Sequence, residues 1–106
     1  MSLFETVFVI TPAVSREEAT GVAKRLFEIL DKCGCKVLHN LHWDYVNGAD
    51  HTSPVPGRLA SLENRDIGYH WLIEFQDPTS TGVPSLEFAF RRDERVLRYT
   101  TVRLSG

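Results

Sequence analysis

Apolar residues recur along this chain in two rhythms, one of period two and one near 3.6, and the switches between them mark out the elements. "LFETVFVIT", Leu3 to Thr11, is a β-branched and aromatic run that stops at Pro12, which predicts a strand. In "SREE", Ser15 stands at an N-cap with Glu18 three residues on, a capping box in which each side chain meets a free amide of the first turn. Ala19, Val22, Ala23, Leu26, Phe27, Leu30 and Cys33 then follow at steps of three and four. That spacing lays one apolar stripe along a helix ended by Gly34 in the left-handed cap position. From Cys35 a second strand alternates, with Cys35, Val37, His39, Leu41 and Trp43 on one side and Lys36, Leu38, Asn40 and His42 on the other.

Residues 44–68 are polar and rich in Gly and Pro, and predict a long loop in which "GRLASLENR" has room for a short helical turn. Loops of this length inside a domain are uncommon and often functional or disordered. Tyr69 to Phe75, "YHWLIEF", predicts a third strand on which Trp71, Ile73 and Phe75 form a core stripe. "DPTSTG" is a turn, Pro84 suits the first position of a helix carrying Leu86, Ala89 and Phe90 inward, and "RVLRYTTVRL" predicts a last strand. Strand, helix, strand, strand, helix, strand is the order of the ferredoxin-like split βαβ sandwich, an α+β fold with two helices on one face of a four-stranded antiparallel sheet. At 106 residues, 42% hydrophobic and 25% charged, the chain suits one such domain, 1–106, with its own core. The fold hosts many functions and leaves this one open.

"CGCKVLHNLHW", Cys33 to Trp43, gathers two cysteines and two histidines and raises the question of a metal. Strand geometry answers against it. At about 3.3 Å per residue Cys35 and His39 stand roughly 13 Å apart, too far for ligands about 2.0–2.3 Å from one zinc. His39 and His42 face opposite sides, and Cys33 on the helical stripe behaves as a small hydrophobe. No metal or cofactor is expected. Two cysteines are too few for a disulfide framework, which points to a reducing compartment. No run approaches the roughly 18 apolar residues of a membrane span, and the arginine-free opening resembles neither a secretory signal nor a transit peptide. No Gly-rich phosphate loop or nucleophile signature occurs. Glu5 and Glu74, both on strands, could meet as a carboxylate pair or lie on the open sheet face beside basic neighbours.

Charge changes the picture at the C-terminal end. The net charge of −2 argues against a strong autonomous nucleic-acid binder. Residues 1–90 hold 7 Lys and Arg against 12 acids, whereas residues 91–106 hold 5 arginines against 2 acids. Arg91 and Arg92 end a helix, where positive charge complements the dipole; Arg95 falls in a turn, and Arg98 shares a strand face with Thr100 and Val102. This group is either a solvated patch neutralised by Asp93 and Glu94 or an anchor for phosphate or an acidic protein surface.

The opening "FETVFVITPAVS", the closing "FRRDERVLRYTTVRL" and the strand-end Trp43 together resemble the small-subunit ribosomal protein S-six family, over about residues 3–43 and 69–104. The resemblance implies a non-enzymatic ribosome component that binds central-domain rRNA together with a small basic protein of the S-eighteen type. It marks Arg91, Arg92, Arg98 and Trp43, and with less defined roles Phe4 and Glu5, as partner or RNA contacts. The middle departs from the family, since "DYVNGADHTSPVPGRLASLENRDIG" is longer and lacks the usual basic residues after the Trp. Arg58 and Arg65 are the possible substitutes there, and the 44–68 loop is expected to meet other ribosomal proteins. Mitochondrial members carry a longer loop with a similar Asn-Arg and Gly-Tyr ending, which slightly favours an organellar ribosome over a bacterial one. Two rivals stand beside this reading. One is a small ferredoxin-like enzyme or ligand-binding domain, acting as a homodimer, with a pocket near His70 and Trp71; the other is a stand-alone regulator that binds RNA transiently.

Overall fold

A continuous apolar run makes a central strand, because only a strand covered on both faces needs no polar side. In the computed structural model, which describes residues 2–45 and 68–105, Glu5 to Ile10 are all buried. They belong to β1 (Ser2–Ile10), followed by α1 (Arg16–Lys32), β2 (Lys36–Tyr45), β3 (Gly68–Asp77), α2 (Gly82–Arg92) and β4 (Val96–Ser105). The four strands form one antiparallel sheet in the order β2-β3-β1-β4. Phe8, Ile10, Trp71, Ile73 and Phe75 on one sheet face pack with Ala19, Val22, Leu26 and Leu30 of α1 and Leu86 and Phe90 of α2. This is the ferredoxin-like split βαβ sandwich that the element order predicts. The 44–68 loop expectation falls mostly on residues 46–67, outside the described residues, while 44, 45 and 68 belong to strands.

Ser15 caps α1 as expected, its Oγ accepting from the Glu18 amide at 3.1 Å, and Gly34 has φ +76 just beyond the helix. The Glu18 carboxylate, however, goes to Arg95. Arg16 pairs with Asp44 and ties the start of α1 to β2.

α2 begins at Gly82, two residues earlier than Pro84 suggests, and Pro84 sits within its first turn. The helix start is capped from a distance. The Gly82 and Val83 amides donate to Oδ2 of Asp77 at 2.9 and 3.3 Å, and the Cys35 thiol donates to Oδ1 at 3.4 Å. Asp77 is 1% exposed, so a buried carboxylate at the end of β3 gathers three donors, two from the start of α2 and one from the residue before β2. Burial and the hydrogen bond to Asp77 push the Cys35 thiol up to about 12. Gly82 is required here, since a Cβ would lie 2.4 Å from Cys35 Sγ.

The alternation expected along β2 fails at one residue. Val37 pairs with Phe75 and His39 with Glu74, so Leu38 is the extra residue of a β-bulge. A one-residue insertion exchanges the faces of everything beyond it. Cys35 and Val37 join the helix-side core, whereas Trp43 packs with Val7 and Leu72 on the other face. Edge strand β4 carries two similar shifts, which leave Leu97 and Leu104 out of register.

Asp77→Ala is expected to lower stability by about 2 kcal/mol or more, because three donors lose a buried acceptor. Urea unfolding of the two proteins, at unchanged m-value, measures it.

Candidate interaction surface

The five C-terminal arginines do not assemble into one patch. Arg95 is committed internally: its Nε and a terminal nitrogen donate to the two Asp93 oxygens at 2.9 and 2.8 Å, and its other terminal nitrogen to Glu18 at 3.2 Å. The Arg95 hydrogen bond holds the Asp93 carboxyl below its usual range against the opposing effect of burial. A turn arginine thereby bolts the α2–β4 connection to the first turn of α1. Arg91 and Arg92, in the last turn of α2, are exposed. The Arg92 guanidinium lies 5.0 Å from the ring centroid of Phe88, one turn back, a cation–π contact that the i, i+4 spacing permits. Arg98 pairs in register with Val9 and is half-buried. Tyr99, on the opposite side of β4, stacks on Phe90 of α2, so Arg98 belongs to the open face. The helix-end pair and Arg98 thus occupy opposite layers, with Arg103 near the end of β4 donating to Ser2.

The remaining expected contacts are placed differently. Trp43 is fully buried, stacked on His70 with centroids 5.2 Å apart, so in this chain it is a packing residue rather than an exposed contact. Phe4 stacks on Phe75 at the margin of the helix-side core. Glu5, 3% exposed, lies directly opposite Glu74, whose other neighbour in the sheet is His39. The carboxylates therefore do face each other, on the open face and with a basic neighbour. Arg58 and Arg65 lie outside the described residues.

His70 and Trp71 do not share one pocket wall, because neighbouring strand residues point to opposite faces. Trp71 stacks with Phe8 and His42 under the helices, while His70 stacks with Trp43 on the other side. The bulge also parts Cys35 from His39, and among the described residues no group of three His, Cys, Asp or Glu could hold a metal ion. No described helix is long and apolar enough to cross a membrane. What the sequence reading missed is the Phe88–Arg92 pair, whose signal was an aromatic between the inward positions Leu86 and Phe90.

These features define the class: a ferredoxin-like α+β domain with arginines on two surfaces, in which Asp77 and Arg95 join the layers. The family model described as ribosomal protein S6 matches residues 3–103. Small ribosomal subunit protein bS6 of Bacteroides fragilis is 30% identical over 105 residues, covering 98% of this chain and 82% of that protein. The same protein of Bacteroides thetaiotaomicron is also 30% identical, with the same coverage. Among solved structures, 30S ribosomal protein S6 from Thermotoga maritima superposes with TM-score 0.67 at 18% identity, covering 96% of this chain and 86% of that one. The chain belongs to the ribosomal protein S6 family, and is a structural, non-enzymatic component of the small ribosomal subunit. These relatives are bacterial, and they give the mitochondrial expectation no support.

Two outcomes separate packing from contact. Trp43→Ala is expected to destabilise the isolated protein by about 3–5 kcal/mol in urea unfolding, as loss of a buried aromatic does and loss of an exposed one does not. Arg95→Met is expected to cost about 1 kcal/mol at neutral pH. A depressed carboxyl contributes stability above its unfolded pKa and loses it as pH falls. The gap between the two proteins should therefore shrink below about pH 4 in the same titration.

Proposed function

We propose that this chain binds rRNA of the small subunit together with a small basic partner of the S-eighteen type, through arginines on its two surfaces. The carrying observation is that Arg91 and Arg92 end α2 exposed while the neighbouring Arg95 is tied to Asp93 and Glu18. Asp93 and Glu18 are thus already engaged by Arg95, and the helix-end pair is left to meet outside anions. Guanidinium groups suit phosphate, since they stay charged and donate in a planar fork. Such contacts position a protein on RNA more than they read its sequence. The net charge of −2 makes unaided binding to RNA weak, which a basic partner remedies by adding positive charge beside the arginines. Arg98 supplies a contact on the open face. Phe4, Glu5 and Trp43 act by shaping the sheet, Arg58 and Arg65 substitute for the family's basic RNA contacts after the Trp, and the 44–68 segment meets other ribosomal proteins. The ribosome of a bacterial cytoplasm is the setting, in line with the bacterial relatives.

The test is Arg92→Glu with Arg98→Glu. Incorporation into small subunits, read by sedimentation with and without ribonuclease, is expected to fall about tenfold or more, and its salt dependence to weaken. The unfolding midpoint should stay within a few degrees, since both side chains are at least partly exposed. Normal incorporation of a folded double variant sinks the proposal.

A further inference from the structure

The seam between the helices is open. A cleft of about 650 Å³ runs beside Val22, Leu26 and Phe88, with Arg25 and Arg92 on its rim. A second, of about 390 Å³, is lined by Ile29, Pro84, Ser85, Phe88 and Ala89. Ile29, Phe88 and Ala89 line both, so the two form one furrow along α1 and α2. Phe88 stands in it 56% exposed, between the buried positions Leu86 and Phe90. A large apolar side chain held open to water beside an apolar furrow marks an interaction site.

Charge decides what fits. The charges stand at one end only: Arg25, Arg92 and Arg95 border the first cleft with Asp93 and Glu94, and the second cleft has none. Arg25 and Arg92 make no ion pair within 4.0 Å among the described residues, although the Arg25 charge acts on Asp93, which Arg95 holds directly. A nucleic-acid strand carries a phosphate at every step and wants cations along its whole track. An amphipathic protein segment wants apolar seats with charge at one end. We propose that this seam docks an amphipathic protein segment, its apolar side chains over Phe88, Ile29 and Ala89 and a carboxylate against Arg25 and Arg92. Pro84, at the far end of the furrow, and Arg92 are eight residues apart on α2, so the segment's carboxylate lies about 12 Å, some two helical turns, from its farthest apolar anchor.

The test titrates the intact chain against a fluorescein-labelled peptide, Leu-Ser-Gln-Leu-Leu-Gln-Ser-Leu-Asp-Asp, by anisotropy. Saturable binding is expected, weakened about tenfold or more by Phe88→Ser and separately by Arg25→Glu. Replacing the two Asp by Lys should reverse the preference in Arg25→Glu. Circular dichroism checks that both variants fold; both positions are exposed. No saturable binding up to about 1 mM, or equal binding by both folded variants, overturns the proposal. So does hexauridylate displacing the peptide with the same dependence on Phe88, which makes RNA the occupant. Phe88-dependent dimerisation in sedimentation equilibrium overturns it too, in favour of a second copy. Arg92 serves both proposals, whereas Phe88 and Arg25 belong to this seam alone, so a failed peptide titration overturns this proposal and leaves the rRNA and partner proposal to its own sedimentation test.

Discussion

One extra residue in β2 decides what each side of the sheet presents. Because side chains alternate with period two, the bulge at Leu38 sends Cys35 and Val37 under the helices and Trp43 to the opposite face. His42 then meets Trp71, and Trp43 meets His70. Asp44 comes round to Arg16 at the start of α1. Without the bulge, Trp43 would stand on the helix side and the Val7–Leu72 pair of the open face would lose its largest neighbour. The aromatic rows across the sheet follow from that insertion, and so does the separation of the residues that looked like a metal cluster.

A second constraint concerns charge. Three carboxylates and one arginine do the joining that side-chain packing alone would leave loose. Asp77 links the end of β3 to the start of α2 and to Cys35, and Arg95 links Asp93 of the last turn to Glu18 of the first helix. Charge-assisted hydrogen bonds of this kind are stronger than neutral ones and directional, so they fix how the helices seat on the sheet. The cations that remain outward at the end of α2, Arg91 and Arg92, are those with no such internal duty. The division between structural and contact charges is therefore set by geometry, within a run of residues that looks uniform in sequence.

That explains what could be read in advance. The α1 stripe, the Ser15 cap and the Gly34 stop are local, governed by spacings of three and four and by one backbone conformation, and they were legible. The bulge was not, because Val37 and Leu38 are adjacent apolar residues and either phase leaves an apolar residue on each face. The α2 cap was hidden as well. "DPTSTG" offers Thr79, Ser80 and Thr81 closer to the helix than Asp77, and the Cys35 thiol that helps hold Asp77 is 42 residues away. Glu18 and Arg95 are 77 apart, so composition could see only the neighbouring Asp93. For the site, the family motif marked Trp43 and the arginines together, and motif position carries no information on burial.

The two findings bear on each other. The open face of the sheet already buries Val9, Trp43 and His70, and Asp77 and Arg95 bolt the helices, so the surfaces proposed to meet neighbours rest on a tied framework. A preorganised surface loses less conformational entropy on binding, which favours the proposed contacts through a few exposed arginines and one exposed phenyl ring. A protein of negative net charge needs that economy. In the proposed rRNA and partner contacts bulk electrostatics would be weak at a net charge of −2, so placement carries the weight, and the internal pairs that seat the helices set where the helix end bearing Arg91 and Arg92 lies.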